Sequence, residues 1–282
     1  METIQGLDYY LQSFSCRDLL ADQCVALLQA DISGGRITKN DIDSLKDCKA
    51  TEIWLSGLTQ DTFEYFIENY GQQFKIINFW KCPLIADFKM LETLVNIEYV
   101  LFFWNQRVTH LWDLSKNPKL KGLSFDDFTR MHTLAEIPLA PNLEELYFGD
   151  KIWTKYIVDS LTPLARAKKL KKLIFSAKKI NDNDITPLAK IVNLEIVEFT
   201  SNLFSTEQVA WLTANTGNIT SSVLAPYKKL KYPLKTAEKI KDILVIGKRK
   251  PFLNSQEDRL RLEKYKKEFN ELVNIYRGST GP

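Results

Sequence analysis

The segment LEELYF at 143–148 has apolar residues at its first, fourth and sixth positions, and this spacing returns in LKKLIF at 170–175 and LEIVEF at 194–199. Four earlier segments share the spacing and begin at Ala50, Phe74, Ile97 and Leu120. The seven segments start 24, 23, 23, 23, 27 and 24 residues apart. One such segment is expected by chance in a chain that is 45% hydrophobic, but seven in register indicate an internal structural repeat.

Each segment has the alternation of a short strand. Because strand side chains point to opposite faces in turn, the fourth and sixth positions face one way and the third, fifth and seventh face the other. A single strand cannot bury its apolar face alone, but stacked repeats bury it against their neighbours. We therefore expect a parallel sheet with one strand per repeat. A further copy, IKDILV at 240–245, and a degenerate copy around 219–224 extend the expected array.

The residues between the segments predict short helices and turns on the other side of each repeat. DSLTPLA at 159–165 and DITPLA at 184–189 are near copies, in which Thr162 and Thr186 are expected to cap a helix that continues with Pro. STEQ at 205–208 is a capping box ahead of an apolar run. Shorter, proline-containing connections elsewhere predict turns.

The pattern is similar to that of the leucine-rich-repeat family, L-x-x-L-x-L-x-x-N/C-x-L with a period of 20–29 residues. The resemblance covers residues 37–250, and the irregular steps of 23–27 residues look most like bacterial members. Phe often replaces the third leucine, and the Asn or Cys of the ninth position is present only at Cys82, Asn105 and Asn202. The resemblance implies an α/β solenoid, a curved horseshoe with a parallel concave sheet and a convex side of short helices and turns. It also implies that Asn or Cys satisfies backbone groups after each strand.

The chain divides into three predicted parts. Residues 1–36 form an N-terminal helical cap, with its helix expected over 8–31. Residues 37–250 form the solenoid of about eight or nine repeats, and residues 251–282 form a C-terminal capping helix and tail. This second helix is predicted from apolar residues at helical spacing, namely Leu262, Tyr265, Phe269, Leu272, Val273 and Tyr276.

The third, fifth and seventh strand positions face away from the core, and we call the surface that they form the concave face. Many of them are aromatic in the first three strands, and acidic residues follow. Contiguous exposed apolar surface usually marks a contact site, and Trp and Tyr are frequent binding anchors. The acidic residues are expected to steer a basic partner and to set specificity. The candidate partner-binding residues are Trp54, Asn78, Trp80, Tyr99, Leu101, Phe103, Trp104, Asp126, Asp127, Glu145, Tyr147 and Asp150.

Two alternatives compete with an exposed binding face. The N-terminal residues or a loop can fold over these aromatic side chains. A shift of one residue in the register of the third strand would instead place Tyr99 and Phe103 in the core, since LVNIEY at 94–99 also fits the repeat. The 23-residue steps on both sides favour the first register.

Composition excludes several classes of function. The 38 basic and 35 acidic residues give a net charge of +3, which is too balanced for the chain as a whole to bind a polyanion, although residues 226–282 are basic. The four cysteines lack the spacing of a metal site, and no nucleotide-binding or hydrolase motif is found. We therefore expect no cofactor, no metal and no catalytic residues. Irregular cysteines, with neither a signal peptide nor a long apolar run, predict a cytoplasmic protein without a membrane span.

These observations predict a non-enzymatic protein–protein interaction module that binds another protein through the concave face. An immunity-type inhibitor of a cognate bacterial toxin is one role consistent with the resemblance. A substrate-recruiting adaptor is the competing role. The basic C-terminal end leaves nucleic-acid binding open as an alternative from another class.

Overall fold

The computed structural model describes residues 6–12, 17, 23–29, 35–152, 154–217, 219–235 and 240–282. Within these ranges, eight strands form one parallel sheet, and their order in the sheet follows their order in the chain. They are β1 (Cys24–Leu27), β2 (Glu52–Leu55), β3 (Ile76–Trp80), β4 (Tyr99–Asn105), β5 (Gly122–Phe128), β6 (Glu145–Gly149), β8 (Lys172–Ser176) and β10 (Ile196–Phe199). Two shorter strands, β7 (Ile157–Val158) and β9 (Lys179–Ile180), pair with each other.

The sheet has the register that the apolar spacing predicts. The fourth positions of the seven segments lie side by side and are buried in the main core, as are the sixth positions. The fourth-position residues are Ile53, Ile77, Val100, Leu123, Leu146, Leu173 and Val197. The shifted register for the third strand is wrong, because Val100 and Phe102 face the main core and Tyr99 lies on the opposite face.

Phenylalanine fills most of the sixth positions and forms a ladder through the core. The rings of Phe79 and Phe102 stack with their centroids 5.1 Å apart. Phe125 and Phe148 stack at 5.4 Å, and Phe148 stacks on Phe175 at 5.2 Å. These distances follow from the spacing of about 4.8 Å between neighbouring strands. Each pair adds about 0.5–1.5 kcal/mol beyond its buried area, so phenylalanine is a favourable replacement for the usual leucine.

Helices and turns connect the strands on the other side of the repeats. In the described ranges the α-helices are α1 (Leu7–Tyr10), α2 (Lys39–Asp43), α3 (Gln60–Asn69), α4 (Thr206–Asn215) and α5 (Arg259–Tyr276). Helices α2, α3 and α4 each begin with a capping box, and the box at Ser205 confirms the prediction. Thr162 and Thr186 do not cap helices, since each is the first residue of a 3-10 turn. The N–H of Thr186 donates instead to Asp184 Oδ1.

The C-terminal region departs from the predicted repeat. Strands β11 (Tyr227–Lys235), β12 (Ile240–Val245) and β13 (Phe252–Leu253) form an antiparallel sheet. The prediction of a further parallel copy at β12 is therefore wrong, because this strand pairs with the strand just before it in the chain. A single parallel bridge between Ile196 and Thr220 lies where the degenerate copy was expected.

The C-terminal helix α5 confirms the prediction of a helix there, and it lies against α4. Phe269 of α5 reaches the main core, and Leu262 packs with Ile243 and Val245 of the antiparallel sheet. In the part of the chain that the structure describes, no helix has both the length and the apolar character needed to cross a bilayer.

The N-terminal residues differ from the predicted helical cap. Helix α1 is a single turn, and residues 24–27 form strand β1 at the edge of the sheet, so the helical prediction is wrong for these four residues. Every residue of β1 pairs in parallel with β2, and this pairing overrides the local helical pattern. The predicted helical residues 13–16, 18–22 and 30–31 lie outside the described ranges. The division into 1–36, 37–250 and 251–282 stays a prediction.

Candidate functional site

Part of the concave face is covered by residues 6–11 of the same chain, which we call the strap. Leu7 of the strap is fully buried in one cluster with Tyr99, Leu101 and Tyr147. The expectation that these three side chains are exposed is wrong. The alternative, in which N-terminal residues fold over them, describes the structure.

Polar contacts fix the strap in place. The backbone N–H of Leu7 donates to Glu145 Oε2 at 2.7 Å, and the Tyr147 hydroxyl donates to Asp8 Oδ1 at 2.6 Å. Lys172 forms an ion pair with the same carboxylate. Partial burial acts to raise the pKa of Asp8, but the hydrogen bonds from Lys172 and Tyr147 lower it below its ordinary value. Glu145 and Tyr147, which were expected to meet a partner, are thus engaged within the chain.

Acidic residues at the C-terminal ends of β5 and β6 hold a loop of the chain. Asp127 Oδ1 accepts hydrogen bonds from two successive backbone N–H groups, starting at Lys151, both at 3.1 Å. Asp126 Oδ2 lies 2.6 Å from Lys151 Nζ, and Asp150 accepts a hydrogen bond from the Tyr156 N–H. Burial raises the pKa of both Asp126 and Asp150. The expectation that these three carboxylates are free to select a basic partner is therefore wrong, and they support the loop that lengthens this repeat.

The other aromatic residues stay open around a cavity of about 290 Å³, which we call the aromatic pocket. Trp80 and Phe103 stack beside it with their ring centroids 6.4 Å apart and their planes 19° apart, and both are half-buried. Asn78 is buried but also contributes to the wall. The pocket is lined by Leu11, Trp54, Asn78, Trp80, Leu101, Phe102, Phe103 and Lys151.

A buried ion pair orients Trp54 at the pocket. Arg17 Nη2 lies 2.6 Å from Glu52 Oε1, and Trp54 Nε1 donates to the same oxygen at 3.1 Å. The Arg17 guanidinium also lies 5.9 Å from the centre of the Trp54 ring. Removing one partner of a buried ion pair leaves the other charge uncompensated, so these three side chains depend on one another. The site prediction omitted Arg17, because its partner is 35 residues away along the chain.

The backbone turns left-handed at the same point of four successive repeats, two residues after the sixth position. Gly57, Lys81, Trp104 and Asp127 have φ angles of 71, 55, 62 and 58°. Residues other than glycine are held in this region at a cost of about 1 kcal/mol, and they cluster at functional sites. The turn places Lys81 Nζ 4.3 Å from the centre of the Trp80 ring and 5.9 Å from that of Trp104. The aromatic pocket therefore has a basic rim.

Two ninth-position side chains bind backbone groups. The Cys82 thiol lies 3.7 Å from the Leu55 carbonyl oxygen, and Asn105 Nδ2 donates to the carbonyls of Cys82 and Ile85. Burial raises the pKa of Cys82 to about 12, and a thiol that stays protonated at neutral pH is a poor nucleophile. Across the described ranges, no group of three or more His, Cys, Asp or Glu side chains could hold a metal ion.

No protein-family model and no curated protein matches the sequence. Among solved structures, one similar chain is an internalin from Listeria monocytogenes, with 16% sequence identity and a TM-score of 0.32. The match covers 66% of this chain and 62% of the internalin chain, so this chain spans less than two thirds of that structure.

Proposed function

We propose that this chain is a non-enzymatic protein-interaction module of the leucine-rich-repeat type and that it binds a partner protein at the aromatic pocket. The parallel sheet, the repeating apolar register and the backbone hydrogen bonds of Cys82 and Asn105 support the repeat type. The proposed solenoid curves so that the sheet lines its concave side.

The observation that carries the proposal is an open aromatic cavity beside the part of the sheet face that the strap covers. Trp80, Phe103 and Trp104 remain half-exposed, whereas Tyr99 and Leu101 beside them are buried. The stacked rings offer a partner a rigid apolar surface that needs little further ordering on binding. Aromatic anchors of this kind typically contribute about 2 kcal/mol or more when a partner buries them.

Affinity capture with matched variants tests the proposal. The immobilised wild-type chain is compared with a Trp80→Ala/Phe103→Ala variant and with Val192→Ala, whose side chain is 81% exposed and lies outside the pocket. We expect a host protein to bind the wild type and Val192→Ala equally, and to bind the double variant at least about tenfold more weakly. Unchanged affinity in a double variant with an unaltered circular dichroism spectrum contradicts the proposal.

The role of the bound partner is a finer proposal. The resemblance to bacterial members of the repeat family favours a cytoplasmic, immunity-type inhibitor of a cognate toxin, and a substrate-recruiting adaptor is the alternative. An inhibitor suppresses the activity of an equimolar partner and protects cells that express it. An adaptor leaves its partner active and co-purifies with a ligase or effector as well. Co-expression with the captured protein separates the two roles.

The antiparallel C-terminal sheet favours nucleic-acid binding as a second candidate function. Strand β11 presents Lys229, Lys231 and Lys235 to solvent, together with Tyr232, which is 76% exposed. Lysines bind phosphates, and exposed aromatic rings stack on unpaired bases. The same lysines also protect an edge strand from pairing with other chains. Salt-sensitive binding of single-stranded RNA that weakens in a Tyr232→Ala variant supports this candidate, and no binding at low salt excludes it.

A further inference from the structure

We propose that the groove beneath the strap is a binding site for a peptide segment of a partner protein. Such a segment has an apolar residue, a carboxylate and an aromatic residue close together. The strap has the same chemistry and occupies the groove within this chain, and the partner segment displaces it. This inference rests on the proposed protein-binding function of the concave face. It extends that function by naming the chemistry of the partner and the part of this chain with which it competes.

The apolar part of the groove is a gap left by a missing side chain. Gly122 occupies a third strand position, where the neighbouring strands carry Tyr99 and Glu145. A Cβ atom at Gly122 would lie 2.4 Å from the Tyr99 ring and 3.0 Å from Leu7 Cγ. Any larger residue there would remove the space that Leu7 fills. Tyr10 covers the same place from above, with its ring centroid 4.7 Å from that of Tyr99.

The polar part of the groove is a clamp for one carboxylate. The Tyr147 hydroxyl and Lys172 Nζ, from neighbouring strands, both bind Asp8, at 2.6 and 2.5 Å. Glu145 accepts the backbone N–H of Leu7 next to it. The three groove side chains lie on β6 and β8, whose positions are fixed by the sheet rather than by the strap. They therefore offer the same contacts to any segment with a carboxylate at this spacing.

The strap depends on the groove for its conformation. Helix α1 is one turn of four residues without a side-chain cap, and helices this short do not form alone in water. Leu11, the last strap residue, lines the aromatic pocket. A partner whose side chain binds in that pocket therefore contacts the end of the strap. The next part of the partner, further along the sheet, lies at the groove that Leu7 and Asp8 occupy.

A fluorescein-labelled peptide of residues 6–12, GLDYYLQ, which contains the strap and Gln12, tests the groove by fluorescence anisotropy. It is titrated into the full wild-type chain and into a Leu7→Ser/Tyr10→Ser variant, whose strap competes less well. We expect the variant to bind the peptide at least about tenfold more tightly than the wild type, because more of its grooves are vacant. A peptide carrying Asp8→Lys should bind this variant at least about tenfold more weakly, since it faces Lys172.

A third variant, with Gly122→Leu added to the strap variant, should lose the peptide, because the added side chain fills the gap. Equal affinity of the wild type and the strap variant, or of the two peptides, overturns the inference. The Trp80→Ala/Phe103→Ala change tests the proposed function separately, since the Leu7 gap and the carboxylate clamp use neither residue. Loss of a host protein in that variant and loss of the peptide in Gly122→Leu therefore report on different sites.

Hydrogen exchange of the wild-type chain gives a second measurement that needs no variant to fold. The Leu7 amide is protected by its bond to Glu145, so millimolar unlabelled peptide should accelerate its exchange. The amide of Val100, in the core of the sheet, should exchange at an unchanged rate. An unchanged Leu7 amide at this peptide concentration also overturns the inference.

Discussion

The side chain of Asn105 bridges two neighbouring repeats, and its removal tests how the repeats are held together. The side chain is buried at the end of β4. Its Nδ2 donates to the carbonyls of Cys82 and Ile85 at 3.1 and 2.9 Å. Its Oδ1 accepts from the N–H groups of Arg107 and Val108 at 2.9 and 3.0 Å. Because Asn105→Ala removes all four bonds at once, we expect a large decrease in the free energy of unfolding.

The size of this decrease follows from which groups can reach water. The Arg107 N–H is only partly buried, whereas the other three partners lie in buried surroundings. A buried backbone group without a partner costs about 1 kcal/mol or more, so we expect a loss of about 3 kcal/mol. This is a large part of the roughly 5–15 kcal/mol that stabilises a typical domain. Asn105→Asp keeps the two accepted bonds but turns a buried carboxylate towards the Cys82 and Ile85 carbonyls, so it should cost at least as much as Asn105→Ala.

Urea denaturation followed by circular dichroism measures these differences. Asn193→Ala is the matched control, because Asn193 is exposed and donates a single hydrogen bond, to the Lys168 carbonyl at 2.6 Å. This control should change the free energy of unfolding by less than about 1 kcal/mol. A loss below about 1 kcal/mol for Asn105→Ala as well would refute the reasoning, since it would mean that water replaces the side chain at little cost.

Four further outcomes follow from the core and the buried ion pair. Phe125→Ala should lower the free energy of unfolding by about 3–5 kcal/mol in the same assay, because it interrupts the phenylalanine ladder; a loss below about 1 kcal/mol would contradict this. Cys82, whose pKa burial raises to about 12, should resist iodoacetamide at pH 8 in the folded chain and react in urea; labelling of the folded chain would count against this burial. The free energy of unfolding should also decrease as the pH rises above 9.0, the ordinary pKa of a cysteine thiol, because Cys82 then ionises in the unfolded state but stays protonated in the folded chain. Glu52→Leu should cost about 3–5 kcal/mol by leaving Arg17 without its carboxylate, and Arg17→Met/Glu52→Leu should recover most of this; additive losses in the double variant would show that the two residues are independent.

The parallel sheet could be predicted from the sequence because the apolar spacing of each repeat specifies which of its side chains face the core. The period of two within a strand and the period of 23–27 residues between strands leave one register in which Val100 and Phe102 both meet the core. The helix boundaries were harder to predict. Thr162 and Thr186 match a capping pattern, but part of each connection forms strand β7 or β9, and only a five-residue 3-10 helix follows.

The C-terminal sheet could not be predicted in the same way. IKDILV at 240–245 has the apolar spacing of a strand, and that spacing does not specify which neighbour the strand pairs with. Pairing with β11 needs only a short connection, which favours the antiparallel hairpin.

The covered part of the concave face depends on contacts that are distant in the sequence. Asp8 and Tyr147 are 139 residues apart, so no local pattern links them. The one signal was Gly122, a position without a side chain in a row that otherwise carries large residues. The acidic residues were misassigned for a similar reason, because the bonds of Asp127 are made by a loop whose path the apolar pattern does not fix.

The strap also changes the order in which the repeats unfold. An array whose units touch only their neighbours can fray from either end, one unit at a time. Here the bond from Leu7 to Glu145 closes a loop of 138 residues around β1 to β5. While this hydrogen bond is formed, strands β1 to β5 cannot unfold one after another. Stepwise unfolding from the N-terminal edge begins only after the bond has broken. The N-terminal half should then melt as a single cooperative block, with amides in β2 and β5 opening at similar free energies.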